Sequence, residues 1–303
     1  MDDPLLRRRL GIALTRNAPK LTRVDPSPTN PLWAEGLITI GSLATRLDVP
    51  GIFAQLTNCH LYSLDEAGRP TQPENGFLLS ERPSSVKLAG FKSDDLFRCT
   101  GLLKLACDHA IVEAVSSCIG CTPTISRLHA YYAFPSQPDK AMTPYRRDLE
   151  DFNCITLFVY LTEVGPEDGP HQFIPYTHRI ESLHQYLRST GKKADLQSLF
   201  VKNSRNLATA ELERIFEDEI VTVTGPAGFA FLEDTYGLHR EIRPSRGARL
   251  VFSCLYTGLP LRFADQDLRK YEIGRTISFS EAGLVNPTEI ERYMFRYYLS
   301  QAV

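Results

Sequence analysis

The sequence predicts an α+β fold: a jelly-roll barrel of short strands, braced by helices and interrupted by a helical insertion. Three observations carry this. Between about residues 93 and 117, apolar side chains recur at three- and four-residue spacing, the period of an amphipathic helix. After Gly120 the texture changes to short runs rich in β-branched and aromatic residues, which read as strands. Those runs are divided by a charged, helix-prone stretch at 179–219. Helices followed by strands, in 303 residues of which 43% are hydrophobic, fit one domain with a helix-supported barrel.

The elements follow in order. Residues 1–35 are rich in Pro, Arg and Asn and are expected as an irregular arm or short helix with a loop. Residues 41–57 are expected as helical pieces broken at Pro50 and Gly51. Short strands are expected at 59–64 and 77–80. The helix over 93–117 presents Leu96, Phe97, Leu103, Ala106, Ile111 and Ala114. Strands are then predicted at 124–134, 154–164, 172–174, 220–224, 228–233 and 249–255. The second of these, CITLFVYLTEV, is nearly all apolar, which suits a strand covered on both faces. Thr288 followed by Glu291 forms a capping-box pattern for a terminal helix carrying Ile290, Tyr293, Met294 and Tyr297. The layout is thus a single domain over 1–303. An arm and supporting helices fill about 1–118, the barrel about 120–260 with its insertion at 179–219, and a C-terminal extension with a helix 261–303.

Composition removes several functions. The formal net charge is −2, with basic clusters only at Arg7 to Arg9 and at Arg146 and Arg147, so there is no stripe for nucleic acid. No run of about 18 apolar residues exists, so no membrane span is expected. The opening MDDPLLRRRLG lacks the apolar centre of a signal peptide, and a cytoplasmic protein is expected. Seven cysteines are dispersed, and the CxxC of Cys118 and Cys121 has no second pair at zinc-finger spacing. Buried, reduced thiols are expected. The partner that remains is a small-molecule substrate at the barrel mouth.

Three segments carry chemistry: YRRDLED from Tyr145, DGPHQFIPYTHR from Asp168, and EDTYGLHR from Glu233, followed by RLVF from Arg249. Their order and spacing resemble the phytanoyl-CoA dioxygenase-like family of iron(II)/2-oxoglutarate-dependent oxygenases. That family carries an HxD strand, a KLFVYLTDV-like strand, GPHxxxPGSHR, and a distal LHR with an arginine about ten residues later. The resemblance covers about 95–260; each motif alone is weak and the set is specific. It implies a double-stranded β-helix, cupin-like core. It also implies iron(II) and 2-oxoglutarate as cofactors where the chemistry is retained, and hydroxylation of a small molecule in metabolism or natural-product tailoring.

The chemistry behind the motif is simple. Non-haem iron(II) takes two imidazoles and one carboxylate on one face and leaves the other positions open. An HxD on a strand points both side chains to the same side, and an arginine offers a planar fork to a carboxylate. Carried over residue by residue, Asp148 and His239 match metal ligands and Arg249 matches the 2-oxoglutarate anchor. Arg146 stands where the first histidine belongs, and a guanidinium has no lone pair to donate. Asp148 can instead pair with Arg146 or Arg147. Replacement ligands could come from His171, His129 or Glu150. Thr156, where the family has lysine, and Tyr160 share a strand face with Phe158 and are expected to line the cosubstrate cavity or to pack. His178 is expected to be structural, and Tyr176 replaces a glycine that suits a positive φ. Lys192, Lys193 and Lys202 are expected on a solvated lid over the mouth. Two functions follow: an oxygenase with a degraded ligand triad, or a retained fold without iron chemistry, whether pseudoenzyme, binding module or non-redox catalyst, with no cofactor. The first is the leading reading, and Arg146 is the feature that favours the second.

Overall fold

The computed structural model describes residues 10–21 in part and 30–300 apart from 66–67, 73, 137–143, 149–151, 195–198, 200–208 and 259–276. Two antiparallel sheets face each other. The larger contains β1 (Leu37–Ser42), β2 (Leu61–Ser63), β3 (Leu88–Phe91), β4 (Thr124–Ala133), β5 (Cys154–Tyr160), β8 (Phe229–Glu233) and β10 (Arg249–Thr257), in the order β1-β8-β5-β10-β4-β3-β2. The smaller contains β6 (His171–Ile174), β7 (Val221–Val223) and β9 (Leu238–Glu241), in the order β7-β6-β9. The central neighbours β8-β5-β10-β4, and β9 beside β6, are not consecutive in the chain, whereas β4-β3-β2 and β6-β7 are; helices lie outside. This is the expected α+β double-stranded β-helix, or jelly roll.

Strand alternation sorts the side chains. On β5, Leu157 and Val159 join the core between the large sheet and the helices, whereas Phe158 and Tyr160 join the core between the two sheets. All seven β5 residues are buried, which explains the unbroken apolar run. A third apolar cluster lies on the outer face of the small sheet. There Ile174 and Leu238 meet Leu183, Tyr186 and Leu187 of a helix at Ile180–Thr190, and Leu212, Ile215 and Phe216 of a helix at Thr209–Phe216. The insertion therefore roofs the small sheet. Its Lys192 is paired with Glu219 at 2.8 Å; Lys202 lies outside the described residues.

Five features differ from the sequence expectation. The helix over 93–117 is three helices, Ser93–Phe97, Thr100–Ala106 and His109–Ile119. The last starts anew because Asp108 accepts hydrogen bonds from the backbone N–H groups of Ala110 and Ile111. Pro50 and Gly51 begin the helix Val49–Thr57 rather than break it, a placement suited to proline because first-turn N–H groups have no helical partner. Residues 77–80 form no strand: Phe77 bridges Leu61 and a single 3-10 turn follows at Leu79–Glu81. The strands β1, β3 and β9 were not anticipated. The terminal helix, Glu289–Met294, carries the Thr288–Glu291 capping box and stops before Tyr297.

None of the seven cysteines forms a disulfide, and Cys118 and Cys121 are buried. Among the described residues no helix is long and apolar enough to cross a membrane. Tyr176 does adopt a positive φ, 67°. Its ring stacks on Tyr186 at 5.1 Å, tying this strained turn to the insertion. Both substitutions below remove the ring, and only glycine removes the backbone cost. Tyr176→Ala is therefore expected to be less stable than Tyr176→Gly by about 1 kcal/mol in urea unfolding. Equal stabilities would refute the strain argument.

Candidate functional site

The segment around Arg146 is an added edge of the small sheet. Arg146 N–H donates to the His239 carbonyl at 2.9 Å and receives the reverse bond at 3.0 Å. Alternation then decides everything nearby. Tyr145 and Arg147 point to the roofed outer face, and Arg146 and Asp148 point inward. Arg147 is buried, and its guanidinium donates to the carbonyls of Thr177, Tyr236 and Leu199. Arg147 is thus no partner for Asp148, which corrects one of the two expected ion pairs. The other is present: Arg146 Nε lies 3.7 Å from Asp148 Oδ1. The two side chains keep 41% and 24% of their surface exposed and form the outer edge of the inward-facing cluster.

His239 comes next. Its Nδ1–H donates to the Gly237 carbonyl at 3.0 Å. Since a carbonyl only accepts, this assigns the proton to Nδ1 and leaves a lone pair on Nε2. Nε2 faces Asp148 Oδ1 at 3.6 Å. Behind His239 stands Glu233, fully buried at the end of β8, with Oε1 3.4 Å from His239 Nδ1. Its Oε2 is 2.6 Å from His171 Nε2. Burial pushes the Glu233 carboxyl up to about 8 and the His171 imidazole down to about 3. Both groups are therefore neutral near pH 7, with the Glu233 O–H donating to His171 Nε2. Burial also lowers the His239 pKa.

Arg249, at the start of β10, is 1% exposed. Its fork is filled by the chain itself. Nη2 pairs with Glu241 Oε2 at 2.5 Å, and Nη1 donates to the Gly169 carbonyl. Tyr131 donates its hydroxyl to the other Glu241 oxygen. Burial would raise the Glu241 carboxyl, but Arg249 and then Arg146 outweigh it and hold the group at about 2. Tyr160 uses both capacities of its hydroxyl as a strut between the sheets, donating to the Val223 carbonyl at 2.9 Å and accepting from His171 N–H at 3.1 Å. Thr156 is buried opposite Glu233 in the β5–β8 register.

The remaining candidates separate clearly. The His171 ring is stacked 5.7 Å from that of His239, but its Nε2 is engaged by Glu233. His129 stacks on Tyr131 at 4.9 Å and lies over Gly90, where an added Cβ would sit 3.3 Å from its Nε2. Glu150 lies outside the described residues. His178 is structural, with Nε2–H donating to the Trp33 carbonyl at 3.1 Å. Glu233 and Glu241 escaped the sequence reading. A signal existed for the second: it lies two residues beyond His239, so alternation puts both on one face.

The donor set can be tested against iron(II) and 2-oxoglutarate. His239 Nε2 and Asp148 Oδ1 face each other as two ligands would. Beside them stands a permanent cation, Arg146, whose guanidinium already pairs with the carboxylate. Among the described residues no group of three or more His, Cys, Asp or Glu side chains is arranged to hold a metal ion. The fork expected to take a cosubstrate carboxylate holds Glu241. As arranged, the residues do not fit the pair.

No family model matches the sequence, and no curated protein matches it. The chain is similar in overall course to several solved structures at low identity. EctD from S. alaskensis, solved with 2-oxoglutarate and 5-hydroxyectoine, is 14% identical over 79% of this chain and 79% of its own, with a TM-score of 0.49. SnoK, a non-heme alpha ketoglutarate dependent carbocyclase from nogalamycin biosynthesis, is 13% identical over 79% of this chain and 88% of its own, with a TM-score of 0.49. AviO1 from Streptomyces viridochromogenes Tue57 is 11% identical over 78% of this chain and 96% of its own, with a TM-score of 0.46.

Proposed function

We propose that this chain handles a polar small molecule, as a binding protein or a non-redox catalyst, on an oxygenase-type β-helix that has left iron(II)/2-oxoglutarate chemistry. One observation carries the reading: a guanidinium, Arg146, lies 3.7 Å from the Asp148 carboxylate that faces His239 Nε2. A fixed cation beside Asp148 opposes a second cation there by direct repulsion. The same arrangement suits a ligand with an acidic group for Arg146 and a donor for Asp148 Oδ1. The Nε2 lone pair of His239 lies just behind, able to accept a proton from a bound ligand.

A specific observation favours a second reading, an oxygenase with a degraded triad. His239 is orientated as metal-bound histidines are, with Nδ1–H held by a carbonyl and Nε2 turned to a carboxylate. In that case His239 and Asp148 hold the iron, which when bound supplies dioxygen activation.

Anaerobic addition of iron(II) and 2-oxoglutarate separates the two. The wild type is expected to show no visible charge-transfer band and no stoichiometric iron uptake. Arg146→His is expected to take up about one equivalent, because it restores two imidazoles and one carboxylate. A wild-type band sinks the proposal, and loss of that band on changing His171 or His129 to alanine would name the substitute ligand.

A further inference from the structure

The buried fork of Arg249 and its occupant carry more. Glu241 sits on β9 and Arg249 begins β10, eight residues later. Glu241 reaches the guanidinium through one oxygen only, Oε2 on Nη2. Its other oxygen is taken by the Tyr131 hydroxyl. Arg249 Nε, the donor beside Nη2, is buried and has no hydrogen-bond partner among the described residues. A carboxylate tethered to a strand thus satisfies half of a two-donor edge, and the other half is not met by Glu241. A free carboxylate can approach side-on and take both N–H groups, the stronger geometry.

We propose that Arg249 and Tyr131 form a carboxylate-binding subsite that Glu241, a carboxylate built into the chain, keeps closed. The ligand class follows from the occupant: a small molecule bearing a free carboxylate, able to pair with Nε and Nη2 together. In the wild type such a ligand must displace a group held at effectively very high local concentration. The subsite is therefore silent while Glu241 is in place. This inference rests on the reading above, since it supplies a second obstacle to 2-oxoglutarate that is independent of the one at Arg146.

Glu241→Ala is the test, in carboxylate-free buffer, with acetate, succinate and 2-oxoglutarate as probes and chloride at matched ionic strength as the control. Without Glu241, Arg249 is a buried charge with no counter-ion, so the variant is expected to melt below the wild type. Each carboxylate is expected to raise its melting temperature saturably, while chloride does not. In calorimetric titration, succinate and 2-oxoglutarate are expected to bind the variant at least about tenfold more tightly than the wild type, a factor equal to 1.4 kcal/mol. Glu241→Ala/Arg249→Gln is expected to lose the rescue. Should Glu241→Ala not fold, Glu241→Gln, which keeps the shape and loses the charge, is measured instead. A folded variant with no carboxylate-dependent shift overturns the inference, as does equal affinity in the wild type. No metal is present in these titrations, so they fail or succeed separately from the iron experiment. Once joined, the two make one further expectation: Arg146→His alone takes up iron, and the 2-oxoglutarate band needs Glu241→Ala as well.

Discussion

Arg147→Ala is expected to lower the unfolding free energy by about 3–5 kcal/mol, the range for removing one side of a buried charged network. The side chain is 5% exposed, and its donors tie together three segments remote in sequence. Thr177 follows β6, Tyr236 precedes β9, and Leu199 belongs to the insertion. Burial lowers its pKa to about 10, so it is still charged at neutral pH. Alanine leaves three buried carbonyl oxygens short of a donor and opens a cavity between them. Lysine presents its three donors from a single point and cannot span the carbonyls, so Arg147→Lys is expected to recover less than half of the loss. Urea unfolding measures both. A loss below about 1 kcal/mol for alanine would mean that Arg147 is not a clamp.

The second large effect is pH dependence around Glu233. Its folded pKa, about 8, lies above the ordinary 4.5. The native state therefore keeps a proton that the unfolded chain releases, and stability falls as pH rises from 4.5 through 8. His171 has the opposite sign. Its folded value, about 3, lies below the ordinary 6.5, so stability rises with pH up to 6.5 and is unaffected beyond. The slopes oppose each other until pH 6.5, and above it only Glu233 acts. Between pH 6.5 and 8 the wild type is expected to lose about 2 kcal/mol, the product of that interval and 1.36 kcal/mol per unit. Glu233→Gln keeps a donor for His171 Nε2 and cannot ionise, so its stability is expected to stay level over the same interval. Chemical denaturation at the two pH values decides. A parallel decline in both proteins would show that the slope comes from elsewhere.

Much of this was legible in the sequence. Two-residue alternation placed Arg146 and Asp148 on one face and Thr156, Phe158 and Tyr160 on another, and the structure keeps both sets. The β5 run read as buried on both sides, and the glycine-like position of Tyr176 shows its positive φ. What stayed hidden depends on register across long separations. Glu233 meets His171 across 62 positions, and nothing local marks either as half of a neutral pair. Glu241 was written two residues after His239, but its capture of Arg249 needs the chain to fold back between β9 and β10. The short strands β1 and β3 were missed because runs of six and four residues carry too little periodic signal. The long helix was over-read because apolar spacing continues through breaks that Asp108 and its neighbours impose.

One strand of four residues carries both sides of this protein. Along β9, Leu238 and Arg240 face the roof while His239 and Glu241 face the barrel. A single inserted residue in the turn at 234–237 would exchange the two sets. It would put an aliphatic side chain and an unmatched guanidinium into the barrel, and a histidine and a carboxylate under the apolar roof. The interior chemistry and the roof therefore cannot drift apart by insertion or deletion here. Lineages can vary β9 only by substitution in place, which makes it the segment where changes of function would be written one residue at a time.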